Sequence, residues 1–299
     1  MGVLATRKVA MIHIPIPGIQ IIECTPSEFV HPQAPSKLVN WIIVEVDCLW
    51  VHIEDFISVA VRRGTEVLYA KHTELSDQDV QAFLMSIPFA ALIYQRKEIA
   101  VHGSALIAPP ELKPRGATII LGTSGAGKST TSAALALNKW LVMCDDICRI
   151  GILARESDRT WSSPKLYAGY SRIKLTDSSF AILEFDKTNL DQVSKFVEKY
   201  YFDPPTSWDG ETGIASFVIL NRSSSAVDFS WGSCRPEHIE AALLPNLYRH
   251  EIGLIISPDL KDLIRSALSC VRTMVLTAPK DASPLAIATQ IERCEQAYR

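Results

Sequence analysis

The stretch GTSGAGKS at residues 122–129 constrains the fold of this chain more than any other, because it matches G-x-x-x-x-G-K-[ST] at every position. An apolar run at residues 117–121 precedes it, and an alanine-rich segment at 128–138 follows it. Another apolar run occupies 141–144. This order predicts a strand, a glycine-rich loop, a helix and a second strand, which together form a parallel βαβ unit with a right-handed crossover.

A loop of this composition is suited to binding phosphate groups. Its glycines let the backbone curl so that successive N–H groups point inward, and the following helix adds the partial positive charge of its N-terminus. In this motif the lysine, Lys128, reaches the β- and γ-phosphates, and the hydroxyl of Ser129 ligates Mg²⁺. The predicted nucleotide-binding residues are Gly122, Thr123, Ser124, Gly125, Ala126, Gly127, Lys128, Ser129 and Thr130.

Two adjacent carboxylates, Asp145-Asp146, end the second predicted strand. Ligands bind at the carboxyl ends of parallel strands, so we expect this pair to lie beside the loop. Consecutive residues point in different directions, which allows one carboxylate to face a metal ion and the other to face an acceptor hydroxyl. Phosphoryl transfer requires both, and an isolated Asp-Asp pair would otherwise serve only to solvate a turn.

His102, in the run VHGS before the loop strand, is a further candidate. A lone histidine on an apolar strand is more often structural than functional, although histidine is common at sites. The surrounding sequence alone therefore leaves its role open.

Composition narrows the class of protein. The formal net charge is -3 with no basic block, which argues against nucleic-acid binding. The seven cysteines are scattered without a CxxC pair, which disfavours a disulfide framework or a zinc site and fits reduced thiols in the cytosol. The longest uncharged apolar run is too short to span a bilayer. We expect a cytoplasmic protein that binds neither nucleic acid nor membrane.

The 299 residues are enough for about two domains. Residues 1–98 predict a small α+β domain with strands at 9–14, 19–23, 41–46 and 57–61, a hairpin turn at 63–65 and a helix capped by Ser76. Residues 99–299 form the second domain, whose later runs predict strands at 180–185, 214–221 and 227–231 and helices at 236–248, 258–276 and 284–297.

The combination of His102-Gly103, the loop and Asp145-Asp146 resembles the HPr serine kinase/phosphorylase family, in which the same three motifs occur in the same order. The seventeen positions from Ser129 to Asp146 are also the spacing of that family. The resemblance implies an α/β fold: an HPr kinase/PEP carboxykinase-like P-loop domain with a smaller N-terminal α+β domain. Residues before about 100 do not resemble the family's usual N-terminal domain.

The resemblance implies roles for individual residues. Asp146 would accept the proton, Asp145 and Ser129 would bind Mg²⁺, and His102 and Lys128 would act in the active site. The family also has a signature Glu-x-Arg-Gly, of which only the arginine has a counterpart in this chain, Arg172. The resemblance implies a catalytic role for Arg172. Tyr170 replaces the metal-binding glutamate, and a later basic loop has only Arg222, Arg235 and Arg249 as candidates.

The expected activity is an ATP- and Mg²⁺-dependent transfer of the γ-phosphate to a serine hydroxyl of a peptide or protein. The divergent sequence resembles kinases that phosphorylate the C-terminal serine of lasso-peptide precursors. Three alternatives stay open: a kinase for a small hydroxylated molecule, a nucleotide-dependent switch or binding module, and, ranked last, a carboxykinase-like enzyme. The family often forms hexamers, which leaves a homo-oligomer open for this chain.

Overall fold

The computed structural model describes residues 12–27, 29, 40–152 and 163–297. The strands are β1 Gln20–Glu23, β2 Asn40–Val44, β3 Cys48–Ile53, β4 Ile57–Arg62, β5 Glu66–Lys71, β6 Ile99–His102, β7 Ser104–Ile107, β8 Ala117–Gly122, β9 Leu141–Cys144, β10 Ile147–Gly151, β11 Lys165–Tyr167, β12 Ile173–Leu175, β13 Gln192–Ser194, β14 Val197–Phe202, β15 Glu211–Ser223, β16 Ser230–Cys234 and β17 Arg272–Pro279. The helices are α1 Asp77–Leu84, α2 Ile87–Gln95, α3 Lys128–Leu137, α4 Asp177–Leu183, α5 Ile239–Leu243, α6 His250–Ile256, α7 Leu260–Leu268 and α8 Pro284–Ala297.

The chain divides into two compact units. Unit 1 comprises Met1–Glu98 with Arg249–Leu260, and unit 2 comprises Ile99–Tyr248 with Lys261–Arg299. The segment that includes α6, which the sequence analysis placed in the second domain, thus belongs to unit 1. Its Gly253 lies against the ring of Tyr94 on α2, so closely that a Cβ on Gly253 would come within 2.7 Å of that ring. The fold class is mixed α/β with several sheets.

Unit 1 is built on a five-stranded sheet with the order β1-β5-β4-β3-β2, antiparallel except for the β1–β5 pair. The predicted hairpin turn joins β4 to β5 through three residues. Arg63 (φ 51°) and Gly64 (φ 67°) are both left-handed and are the central residues of a β-turn that the N–H of Thr65 closes by donating to the carbonyl of Arg62 at 3.1 Å. Ser76 caps α1: its hydroxyl accepts a hydrogen bond from the N–H of Asp79. Both of these local predictions are confirmed.

Unit 2 contains a larger sheet, in which β15 is the central strand. Its residues from Ile214 onward pair with β8 and those from Ser216 onward pair with β17, both in parallel. On the other side of β8 lies β7, which is antiparallel to both β8 and β9. The strands β8 and β9 are therefore parallel, as predicted, but β7 lies between them. A separate three-stranded sheet has the order β12-β14-β13.

The core of unit 2 lies between the parallel strands and the two helices that cover them. Ala133 and Leu135 of α3 and Ile287 and Ile291 of α8 are buried in one cluster with the apolar side chains of β8, β15 and β17. Small side chains on α3 let the two helices approach closely. This packing fixes the N-terminus of α3, and with it the preceding glycine loop.

Several predicted elements were wrong. The run 180–185 lies largely in the helix α4, which Asp177 begins and which buries Phe180 on one side while Ile182 remains 41% exposed. The predicted helix 258–276 ends at Leu268 in α7, and its residues from Arg272 onward belong to β17, the parallel partner of β15. The segment 236–248 contains only the short α5 between single 3₁₀ turns.

Two further outcomes concern the ends of predicted segments. The strand predicted at 227–231 lies later, in β16. Residues 9–11 of the first predicted strand lie outside the described residues, and 12–14 have no regular structure. Among the described helices, none combines the length and the apolar character needed to cross a membrane.

Candidate functional site

Strand ends in unit 2 converge on one edge of the sheet. The parallel strands β8, β15 and β17 bring Gly122, Arg222 and Lys280 to their carboxyl ends. Since β9 runs in the same direction as β8, its carboxyl end presents Asp145 at the same edge. A cavity of about 870 Å³ opens there. It is the position where ligands bind in sheets of this kind.

The glycine loop contains residues in the left-handed region. Gly122 (φ 143°) and Gly127 (φ 93°) lie at positive φ, and a Cβ on Gly122 would come within 2.8 Å of the carbonyl oxygen of Leu220. A larger residue at 122 would therefore push β8 away from β15. The N–H of Thr131 donates to the carbonyl of Gly127 at 2.8 Å, which begins α3 at the loop.

Two cations lie against this loop. The ammonium of Lys128 donates to the carbonyl oxygens of Gly122 (2.8 Å) and Thr123 (3.3 Å), and burial lowers its pKa. The guanidinium of Arg222 donates through Nε to the carbonyl of Ala126 at 3.1 Å and through Nη1 to that of Ala282. Arg222 thus ties the loop to the segment between β17 and α8.

Asp145 is a buried carboxylate that accepts three hydrogen bonds. Its Oδ1 accepts from the hydroxyls of Ser104 and Ser129, the latter at 3.2 Å, and its Oδ2 accepts from the backbone N–H of Lys174 at 3.1 Å. Burial raises the pKa of Asp145, and the hydrogen bond from Ser104 acts in the opposite direction. The direct contact with Ser129 joins the carboxylate to the last residue of the glycine motif.

Asp146 points elsewhere, because its backbone is left-handed (φ 75°). Its Oδ2 accepts a hydrogen bond from the ammonium of Lys174 at 2.9 Å, and its Oδ1 lies 3.5 Å from Nε2 of His102. Burial alone would raise the pKa of Asp146. The charge and the hydrogen bond of Lys174, with smaller contributions from His102 and Lys199, together outweigh burial and lower this pKa. The neighbouring carboxylates are therefore held apart, each with its own partners.

His102 ends β6 and lines the cavity with Asp146. Burial and the nearby charge of Lys128 lower its pKa, so the ring is neutral near pH 7. Gly103 follows where β6 gives way to β7, and a Cβ there would lie 2.6 Å from the carbonyl oxygen of Ile120. The His-Gly pair therefore fits closely against β8, the strand that leads into the loop.

Most of the predicted site residues meet in this cavity, but not all. The predicted site residues that line the cavity are His102, Ser124, Gly125, Gly127, Lys128, Ser129, Thr130, Asp145 and Asp146. Gly122, Thr123 and Ala126 belong to the loop without lining the cavity.

Arg172 does not line the cavity: its guanidinium pairs with Asp203 (2.6 Å) and Asp191 (2.9 Å) and lies over the ring of Tyr201. A structural role accounts for these contacts. Tyr170, at the position where a metal-binding acid was expected, packs its ring against Tyr201.

Sequence reasoning missed several cations of the cavity. Lys174, Lys199 and Lys280 line it, and Arg222 was only one of three arginine candidates. Of the other two, Arg235 pairs with Glu237 away from the cavity, and Arg249 belongs to unit 1. No motif marks these lysines, because β12, β14 and β17 bring them to the site from distant parts of the chain.

The residues present fit Mg²⁺ bound through a nucleotide. In the described part of the chain, no cluster of three or more His, Cys, Asp or Glu side chains could hold a metal ion by itself. Mg²⁺ beside nucleotides uses one or two protein oxygens together with phosphate oxygens and water. Ser129 and Asp145, with oxygens 3.2 Å apart, are suitable ligands of that kind.

Comparisons with known proteins add little to this geometry. No protein-family model matches the sequence, and no curated protein matches it. Among solved structures, the chain is similar to the HPr(Ser) kinase/phosphatase from Coxiella burnetii, with 12% identity, a TM-score of 0.36, and coverage of 67% of this chain and 97% of that chain. A TM-score this low carries no argument about fold or activity.

Proposed function

We propose that this protein is an ATP- and Mg²⁺-dependent kinase that transfers the γ-phosphate to a serine hydroxyl of a peptide or protein. One observation carries the proposal: two adjacent carboxylates beside a phosphate-binding loop face different partners. Asp145 contacts the loop hydroxyl of Ser129 at 3.2 Å, whereas Asp146 faces the cavity with His102. A protein that only binds nucleotide needs only the carboxylate beside the loop, whereas a phosphotransferase needs both carboxylates.

On the donor side, the loop N–H groups and Lys128 would bind the phosphates of ATP. Ser129 and Asp145 would hold Mg²⁺, which when bound neutralises charge on the phosphate oxygens. Arg222, anchored on the loop carbonyl of Ala126, would keep the loop and the neighbouring segment 280–284 in place around the nucleotide. These groups offset the negative charge that develops during transfer.

On the acceptor side, Asp146 would receive the hydroxyl. The Lys174 ammonium lowers the pKa of Asp146, so the carboxylate is ionised and accepts the hydrogen bond, and then the proton, of the attacking serine. The neutral ring of His102 stands beside the same carboxylate without adding charge. General-base assistance of this type contributes about 10²- to 10⁴-fold.

The acceptor class rests on the sequence resemblance at residues 102–146, which points to a serine in a peptide or protein and, more narrowly, to the C-terminal serine of a lasso-peptide precursor. A small hydroxylated molecule would reach Asp146 through the same cavity. The experiment therefore varies the acceptor and offers the protein a panel of serine peptides, proteins and small alcohols.

The test is incubation with labelled ATP and Mg²⁺ followed by mass spectrometry of each acceptor. We expect one acceptor class to gain a phosphate, and Asp146→Asn to bind ATP normally while losing transfer. Full transfer by Asp146→Asn would refute the role of Asp146 as base. ATP binding or hydrolysis with no phosphorylated acceptor would instead favour a nucleotide-dependent switch.

A further inference from the structure

One residue that no sequence motif marks contacts both members of the aspartate pair. The backbone N–H of Lys174 donates to Oδ2 of Asp145 at 3.1 Å, and its ammonium donates to Oδ2 of Asp146 at 2.9 Å. Its side chain is only 15% exposed. A single residue on β12 therefore holds two carboxylates that leave the end of β9 in different directions.

The position of Lys174 is set by the small sheet and not by the aspartates. On β12 it pairs with Tyr201 of β14, and its neighbour Ile173 is completely buried. These contacts fix the backbone of Lys174 independently of the two aspartates. A contact through this N–H constrains Asp145 relative to the sheet, and the side chain of the same residue constrains Asp146.

The pair needs such a constraint. Two adjacent carboxylates repel each other in a poorly solvated site. Asp145 has hydroxyl donors in Ser104 and Ser129. Among the described residues, the Asp146 carboxylate accepts a hydrogen bond from Lys174 and lies 3.5 Å from His102, while the charge of Lys199 acts on it from farther away. Without the ammonium, electrostatics would favour rotation of Asp146 toward solvent.

We propose that Lys174 is a positioning residue: it fixes the divergence of Asp145 and Asp146, so that one carboxylate serves the phosphate loop while the other meets the acceptor. This inference rests on the proposed function. In this role Lys174 acts on the reaction through Asp146. A displacement of about 1 Å in a reacting group costs about 100-fold in rate, so the effect of losing the ammonium falls on kcat.

The experiment compares Lys174→Met, which keeps the unbranched chain up to the ε position but removes the ammonium, with Lys174→Arg. The matched control is Lys165→Met. Lys165 lies on β11, forms an ion pair with Glu211 at 3.8 Å and does not line the cavity. We expect Lys174→Met to lower kcat about 100-fold, with ATP affinity close to that of the control. Its melting temperature should fall below that of the control, because Asp146 loses its ion-pair partner in a mostly buried site. Lys174→Arg should recover most of the rate.

A second variant, Lys174→Ala, separates positioning from packing. Added n-propylammonium supplies the atoms that this substitution removes, and we expect saturable recovery of kcat that the control variant does not show. Equal loss of kcat and ATP affinity, or no recovery with Arg and with amine, would overturn the proposal in favour of a purely structural ion pair.

Crystal structures of the wild-type protein and of Lys174→Met, both with bound ADP, test the positioning role of Lys174 without a measurement of turnover. We expect the Asp146 carboxylate of the variant to move away from His102, beyond the 3.5 Å separation in the wild-type protein. An unmoved Asp146 would refute positioning by Lys174 even if wild type transfers phosphate. If wild type phosphorylates no acceptor, the proposed function fails, and these two structures still decide the role of Lys174.

Discussion

Replacement of Ser104 by alanine tests how the buried aspartate is stabilised. The hydroxyl of Ser104 donates to Oδ1 of Asp145, and the two residues are only 1% and 6% exposed. A hydrogen bond to a charged group contributes about 1.5–3 kcal/mol. Since Ser129 and Lys174 continue to donate to Asp145, we expect the lower part of that range, about 1.5–2 kcal/mol. For a unit of this size that corresponds to about 3–8 °C in melting temperature.

The matched control is Ser132→Ala on α3. Ser132 is also completely buried in unit 2, but its hydroxyl has no hydrogen-bond partner among the described residues. Alanine removes an unsatisfied polar group and is the better helix former, so the control should be neutral or stabilised by about 1 kcal/mol.

The free energy of unfolding of both variants would be measured by urea denaturation at pH 8 without nucleotide or divalent cations. If Ser104→Ala lowered the free energy of unfolding by less than about 0.5 kcal/mol, or if both variants lowered it equally, the hydroxyl of Ser104 would not stabilise Asp145 as argued.

Three further predictions follow from the same geometry. Gly103→Ala places a Cβ 2.6 Å from the carbonyl oxygen of Ile120 and should cost about 1–3 kcal/mol in urea unfolding; an unchanged midpoint contradicts it. Arg222→Lys cannot reproduce the fork that reaches Ala126 and the segment after β17, so calorimetry should show weaker ATP binding while the acceptor KM is unchanged. His102 has a lowered pKa, so its ring should titrate below about 6.5 by NMR, and stability should fall as pH falls through that value, because only the unfolded chain then binds the proton. A His102→Gln variant should lack that part of the pH dependence.

The parts of the fold that sequence predicted are those with local causes. The glycine loop is bounded by β8 and α3 because an isoleucine-rich run and an alanine-rich run flank it, and Ser76 begins α1 through its own hydroxyl. The C-terminal helix α8 begins at Pro284, the expected position for proline in a first turn. Each of these signals acts within a few residues of the element that it determines.

The failures have a non-local cause. The residues of β17, RTMVLTAP, follow a helical pattern, and pairing with the neighbouring strands, β15 in parallel and β16 in antiparallel, selects the extended conformation for them. In α4 the opposite holds: Phe180 and Ile182 are good strand residues, but Thr176 and Asp177 begin a helix that buries only one side. Short apolar runs do not distinguish these cases without knowledge of the packing.

The site shows the same division. Lys128, Ser129 and the aspartate pair, which line one cavity, could be predicted to lie together because they belong to motifs with fixed spacing. It missed Lys174, whose contact with Asp146 spans 28 positions and depends on how β12 pairs with β14. It also assigned a catalytic role to Arg172 by resemblance, whereas the guanidinium is engaged by Asp203 and Asp191.

Asp145 and Asp146 are chemically identical neighbours, so any difference in their roles must come from their surroundings. Burial raises the pKa of Asp145, which accepts hydrogen bonds from neutral donors. The pKa of Asp146 is lowered, because the charge and hydrogen bond of Lys174, together with His102 and Lys199, outweigh burial. Environments that separate the pKa values of two neighbouring acids are how enzymes assign them different tasks. A site that only bound nucleotide would gain nothing from keeping the second carboxylate ionised and aimed into the cavity. Because Lys174 makes the largest contribution that keeps Asp146 ionised, its removal should reduce the difference between the two aspartates before it affects the loop.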